Sequence, residues 1–231
     1  MSQPSRAKRL ASEGAVIVFS ILLAFWIDAS WEGRQARQTE ATVLESIRDE
    51  VEANRSQLDR IAELNAQQLD RIDRFMRAAP DDIRSLPADT VVPWLSAMVI
   101  TWTYDEEDSA AGLFLGTSTP VTDRARAVRS RLARWVGIME DTEEEKASLW
   151  QTGFDLAQLL APHTSDALVD GQDRLHLVAA RLGPALLADL RQDDDFVAAL
   201  LNKAHYQNVY VMELGDASVV LDGLRAAIRD D

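Results

Sequence analysis

RAKRLASEGAVIVFSILLAFWIDASW, residues 6–31, decides how the rest of this 231-residue chain is read. A basic cluster (Arg6, Lys8, Arg9) precedes an apolar run of fourteen residues, Gly14 to Ile27. Fourteen falls short of the roughly 20 residues that cross a hydrocarbon core, so a cleaved signal peptide is one reading. The residues after the run, Phe25-Trp26-Ile27-Asp28-Ala29-Ser30-Trp31, hold no good Ala-x-Ala cleavage pattern. Extended from Leu10 to Trp31, the same segment makes a twenty-two-residue helix with Glu13 and Asp28 near its ends. Those carboxylates reach the headgroups and Trp26 and Trp31 suit the interfacial belt, which favours an uncleaved anchor.

Basic residues stay on the cytoplasmic side, so Arg6, Lys8 and Arg9 put the N-terminus in the cytoplasm and the body outside. The expected location is the inner (cytoplasmic) membrane, with a periplasmic main domain. Arg34 and Arg37 on the far flank are offset by Glu32 and Glu40. The chain has no cysteine, which fits an oxidising compartment. A cytoplasmic tail of about ten residues is too short for a signalling domain, so a message across the membrane requires a partner.

At 100° per residue, Glu13, Ser20, Ala24, Asp28 and Trp31 share one side of the anchor. One reading is that Glu13 and Asp28 only mark the membrane edges. The other is a polar, small-residue stripe that meets a partner helix, since such residues mediate packing inside membranes.

Residues 1–31 carry a net charge of +1, so the other two hundred hold −15 of the total −14. So acidic a body repels nucleic acid and anionic headgroups, and the bilayer is engaged through the anchor alone. The hydrophobic share of 47% is ample for a core, while ten glycines and seven prolines imply few turns.

The spacing predicts an all-α fold: a transmembrane helix continuing into a long stalk helix, then an irregular antiparallel bundle. It divides into a basic tail (1–9), an anchor (10–31), a stalk helix (32–78) and a helical domain packed with it (79–231). From Ala36 to Ala78 there is neither Gly nor Pro, and Leu44, Ile47, Val51, Leu58, Ile61, Ile72 and Phe75 recur at three-four spacing. Asn54, Asn65 and Gln68 fall on that seam. Either they set register in a coiled coil or they lie near the solvent edge of a bundle helix.

Pro80 and Pro87 bound a loop. Val91 to Thr103 reads as a short buried helix with Pro93 in its first turn, though Val99 to Trp102 would also suit a strand. Further helices are expected over Glu106 to Leu115, ended by Gly116, and over Val121 to Asp141, started by Thr117-Ser118-Thr119. The second has Val128, Leu132, Trp135, Val136 and Met139 on one face. Glu143-Glu144-Glu145 opens or continues a helix to Ala161, closed by Pro162. Residues 163–183 are undecided. Gly183-Pro184 is a break, Ala185 to Arg191 a short helix, and Asp193 to Asp195 a cap. The last helix spans Phe196 to Ile228, with Leu200, Ala204, Gln207, Val211, Leu214, Leu221 and Ile228 on one face. No internal repeat is visible.

Glu13, Val18, Ala24, Asp28, Trp31, Glu32, Glu40, Leu44, Ile47, Glu50, Val51 and Asn54 form a pattern. It runs from a Glu opening an apolar stretch, through Trp-x-Glu, to a charged helix ending in Asn. This resembles an uncharacterised family of bacterial membrane-anchored helical proteins, known as a domain of unknown function. The match extends loosely to Leu113-Phe114-Leu115-Gly116 and to Asp123–Trp135, where that family shows a Gly followed by an Arg-bearing helix. Asp28 where Asn is commoner, and Gly33 after Trp-Glu, depart from the pattern. The resemblance implies the anchor and the helical body and carries over no activity.

Little in the sequence points to catalysis. His163, His176 and His205 have no second His at helical spacing and there is no thiolate, so no metal site is expected. His205 reads as half-buried structure and His163 as exposed. The acidic runs Asp105–Asp108, Glu140–Glu145 and Asp193–Asp195 fan around helices or cap them instead of converging on a cation. No nucleophile elbow, phosphate loop or dinucleotide fingerprint occurs, and no cofactor is expected. Gly112 and Gly116 read as helix packing or termination. Trp94, Trp102, Tyr104 and Phe114 suit core packing, or less simply a ligand pocket.

Three functions therefore stand in order. The first is a non-enzymatic single-pass protein whose acidic bundle binds another membrane protein or itself. The second is a small-ligand sensor using the middle aromatics. The third is a tethered metal-dependent hydrolase using Glu143 and Glu144.

Overall fold

In a computed structural model, residues 6–117, 119–164 and 183–229 are described. Helix α1 spans Arg6–Arg77 without interruption, 72 residues, or about 108 Å at 1.5 Å per residue. Such a length needs both packing and local support. The support comes from (i, i+4) ion pairs along its outer face, including Arg74 with Asp70 (2.8 Å) and Arg77 with Asp73 (2.9 Å). It ends where Ala79 turns extended ahead of Pro80.

The chain then forms α2 (Pro80–Arg84), a 3₁₀ turn (Ala88–Thr90), α3 (Val91–Val99), α4 (Ser109–Thr117) and α5 (Asp123–Thr164). After α6 (residues 183–190) comes α7 (Asp194–Arg229). The described residues contain no strand, and the all-α architecture is as the periodicity predicts. Helices α1 and α5 run outward together and α7 returns between them, packing extensively against α5 and also on α1.

The buried side chains fall into two cores. The one nearer the N-terminal part of α1 joins Leu44, Ile47, Val51 and Leu58 to Phe114, Leu132, Trp135, Tyr210, Leu214 and Leu224. The distal one joins Ile72 and Phe75 to Val91, Leu95, Met98, Leu156, Leu160, Leu187, Phe196 and Leu200. Phe75 makes edge-on contacts with Trp94 at 5.6 Å and Phe196 at 6.4 Å.

Several expectations are corrected. Asn54, Asn65 and Gln68 do not approach solvent; all three are buried. Helix α3 stops at Val99, not Thr103, because Ile100 turns extended (ψ 139°) to bring its carbonyl to polar side chains. Helix α4 begins at Ser109 instead of Glu106, and runs past Gly116. Of the two readings of Glu143–Glu145, the structure has the continuation, α5 being one helix of 42 residues, and Pro162 does not close it but lies inside its last turn. Val136 is on the outer edge of its face, and Ala204 and Val211 are only half-buried. The undecided segment 163–183, Ser118 of the expected helix start and the tail residues 1–5 lie wholly or mostly outside the described residues.

Candidate functional site: an exposed apolar helix and a strap held by buried polar side chains

The first part of α1 is long and apolar enough to cross a membrane, and none of that window is buried against the bundle. Phe19, Leu22, Phe25 and Trp26 are each more than 60% exposed. Exposing that much apolar surface to water is costly at about 25 cal/mol per Å². The five residues of the expected stripe, Glu13, Ser20, Ala24, Asp28 and Trp31, all lie here and are exposed. Ser20 turns its hydroxyl back onto the Val16 carbonyl (2.8 Å), the usual resting place of a helical Ser in an apolar setting.

The second feature is a non-helical strap, residues 100–108, which runs back along α1 from Gln68 to Asn54 and puts Tyr104 into the first core. A backbone without secondary structure must find other partners for its N–H and C=O groups when buried. Side chains of the two long helices supply them. Asn54 donates to the Glu107 carbonyl (2.7 Å) and accepts its N–H (2.8 Å). Asn65 donates to the Trp102 carbonyl at 3.0 Å and Gln68 to that of Ile100 at 3.2 Å. From α7, the Lys203 ammonium donates to the same Ile100 carbonyl (2.8 Å), and the Tyr210 hydroxyl accepts the Tyr104 N–H (2.8 Å). Gln207 ties the two helices together by donating to Asn65 Oδ1 (3.0 Å) and Gln68 Oε1 (2.7 Å).

Helix ends are closed by charges from neighbouring elements. The Glu50 carboxylate accepts the N–H of Ala110 (2.7 Å) and Ala111 (3.2 Å) at the start of α4. Glu40 does so for Val121 (2.7 Å), and bonds the Thr122 hydroxyl, at the start of α5. Asp193 caps α7 through the Phe196 N–H (2.9 Å). At the opposite polarity, Arg129 donates to the Phe114 and Leu115 carbonyls, and Arg191 to that of Met76 (2.6 Å). Anions at helix N-termini and cations at C-termini are the stabilising arrangement.

Burial shapes the titration of this layer. The Lys203 ammonium is fully enclosed, and burial pulls its pKa down to about 8. Burial pushes the Tyr210 phenol up to about 12 and the Tyr104 phenol up as well. Burial also works against the Lys146 ammonium, but hydrogen bonds to Asp105 (2.6 Å) and Glu143 (2.8 Å) outweigh it and raise its pKa.

The other candidate residues are not brought together. Tyr104 and Phe114 are in one core, Trp94 packs on the other, and Trp102 is partly exposed, so the middle aromatics line no common site. His205 is exposed, not half-buried, with its ring against Tyr206; His163 is exposed and His176 lies outside the described residues. No three His, Cys, Asp or Glu side chains among the described residues converge as a metal site. Glu143 and Glu144 sit in the middle of α5, with Glu143 paired to Lys146. The strap was missed in sequence because its signal is indirect: polar residues on the buried seams of two helices at once, Asn65 and Gln68 on α1 and Gln207 on α7.

No known protein family, curated protein or solved structure matches the chain.

Proposed function

We propose that the chain is a single-pass membrane protein, with its N-terminus in the cytoplasm and its bundle periplasmic. The bundle has no enzymatic role and serves to engage another membrane protein or a second copy. One observation carries this reading: the exposed apolar segment and one of the three long bundle helices are the same helix, α1, with no break between Arg6 and Arg77. A helix needs packing or ion pairs, not a flexible hinge, to stay continuous, so force or orientation at the anchor is passed directly into the bundle. The acidic body supports a protein partner over nucleic acid. We also propose membership of the membrane-anchored helical family. Its pattern positions Glu40, Glu50 and Asn54 coincide with the residues that close α5, close α4 and hold the strap.

The test is extraction of the full-length protein from native membranes in mild detergent, with an anchor-exchanged version alongside. A stoichiometric partner or a homo-oligomer lost on anchor exchange is the expected result. Recovery of the intact chain in the soluble fraction, or as a lone monomer from both versions, overturns it.

A further inference from the structure

The groove between the end of α3 and the middle of α5 has a polar floor and apolar walls. It encloses about 280 Å³ and is lined by Val99, Thr101, Trp150, Gly153, Phe154 and Ala157. Trp150, Phe154 and Ala157 stand at i, i+4 and i+7 on α5, so their side chains line one wall. Trp150 and Phe154 are 56% and 59% exposed, as a pair, beside that groove. Large adjacent aromatics left open to solvent mark binding surfaces more often than scattered single ones do.

The floor explains which ligand would use it. Gly153 has no side chain, and a Cβ there would stand 2.9 Å from Thr101 Oγ1 and 3.7 Å from Lys203 Nζ. The glycine therefore lets a hydroxyl and a buried ammonium come up against α5. Lys203 is 0% exposed and makes no ion pair among the described residues. Among the described residues its three N–H donors meet two neutral acceptors, the Ile100 carbonyl at 2.8 Å and Thr101 Oγ1 at 3.4 Å. A buried charge without a counter-charge is expensive, and an anion nearby relieves that cost. Thr101 Oγ1 accepts from Lys203 and lines the groove, and its own proton remains available for a ligand acceptor. A carboxylate placed there accepts that proton's hydrogen bond with the ammonium directly behind it, a charge-assisted arrangement.

We propose that this groove binds a small amphiphilic carboxylate. Its anionic head sits on Thr101 over Lys203, and its apolar body lies between Trp150 and Phe154. The site is independent of the membrane reading, since it lies wholly within the bundle.

The test titrates the detergent-solubilised full-length protein with phenylacetate and with its neutral counterpart 2-phenylethanol, following Trp fluorescence. Trp150→Phe identifies the responding indole. Saturable binding that favours phenylacetate by about tenfold, about 1.4 kcal/mol, is expected. Phe154→Ser, an exposed position whose fold is checked by circular dichroism, should abolish binding of both. Thr101→Val should erase the preference while leaving weak binding of both compounds, and Lys203→Met should do the same where it folds. Equal affinity for the two compounds, binding unchanged in Phe154→Ser, or no saturable response to phenylacetate overturns the proposal.

Discussion

Asn54 and Glu107, fifty-three residues apart, exchange two hydrogen bonds, with the Asn54 amide treating the strap backbone as a neighbouring strand would. The side chain on α1 thus satisfies both backbone groups of a residue in no secondary structure. Removing it takes away two hydrogen bonds to Glu107, an exposed residue whose backbone can turn to water, so the loss is that of ordinary hydrogen bonds, about 0.5–1.5 kcal/mol each. Asn54→Ala is expected to lower stability by about 1–3 kcal/mol in urea unfolding. Asn54→Asp should be at least as damaging, because it brings a second negative oxygen to the Glu107 carbonyl.

Glu50 at the start of α4 offers a cleaner comparison of charge with hydrogen bonding. Ala110 and Ala111 bond different oxygens of Glu50, so Glu50→Gln keeps an acceptor for one of them and loses the other together with the interaction with the helix dipole, about 0.3–1 kcal/mol. Glu50→Ala loses both and is expected to cost about 1–2 kcal/mol. If thermal melts rank glutamine equal to alanine, the one backbone hydrogen bond that glutamine retains contributes nothing.

Lys203 makes stability rise with pH in an unusual window. Its folded pKa is depressed to about 8 from an ordinary 10.5. The unfolded chain therefore binds more protons between those values, and stability grows as pH climbs through them. The gain is full above the unfolded pKa and is lost as pH falls through about 8. Between pH 8 and 10 the wild type should gain about 2 kcal/mol in denaturant unfolding, and Lys203→Met should be flat there. Tyr104 and Tyr210, raised by burial, bind more protons folded than unfolded and turn the curve downward only above their ordinary value near 10.

Glu213 on α7 acts at the acidic end. Burial raises its pKa, with Glu145, Asp141, Asp216 and Glu144 adding to the effect. Its contribution is present below the ordinary carboxylate value and disappears as pH rises through the folded one. Glu213→Gln should raise stability slightly at neutral pH, by about the few tenths of a kcal/mol typical of like-charge neighbours, and not at pH 4, as thermal melts at the two pH values will show.

For the exposed apolar part of α1, Leu22→Arg puts a charge near the middle of the run, which costs about 2.5–3.5 kcal/mol in membrane insertion. On the proposed membrane reading, the variant should leave the membrane fraction after carbonate washing while its bundle melts unchanged. Paired Glu13→Ala and Asp28→Ala should fractionate as the wild type does and, if the stripe meets a partner, weaken association in detergent. Association unaltered by that pair would leave the two carboxylates as edge markers.

Much of this architecture was legible locally. A helix is written in side chains three and four apart, so Leu44, Ile47, Val51 and Leu58 announced α1 without knowledge of what they would touch. The apolar run Gly14–Ile27 and the capping role of Asp193 are local in the same sense. Polar residues on a buried seam carry no such information, because an amide shows its donors and acceptors but not its partner. That Asn54, Asn65 and Gln68 hold residues 100–108, and that Gly153 brings Thr101 and Lys203 against α5, are matters of long-range packing. The chain's spacing determined the helices; only their mutual approach decided where the unpaired backbone and the unpaired charge would lie.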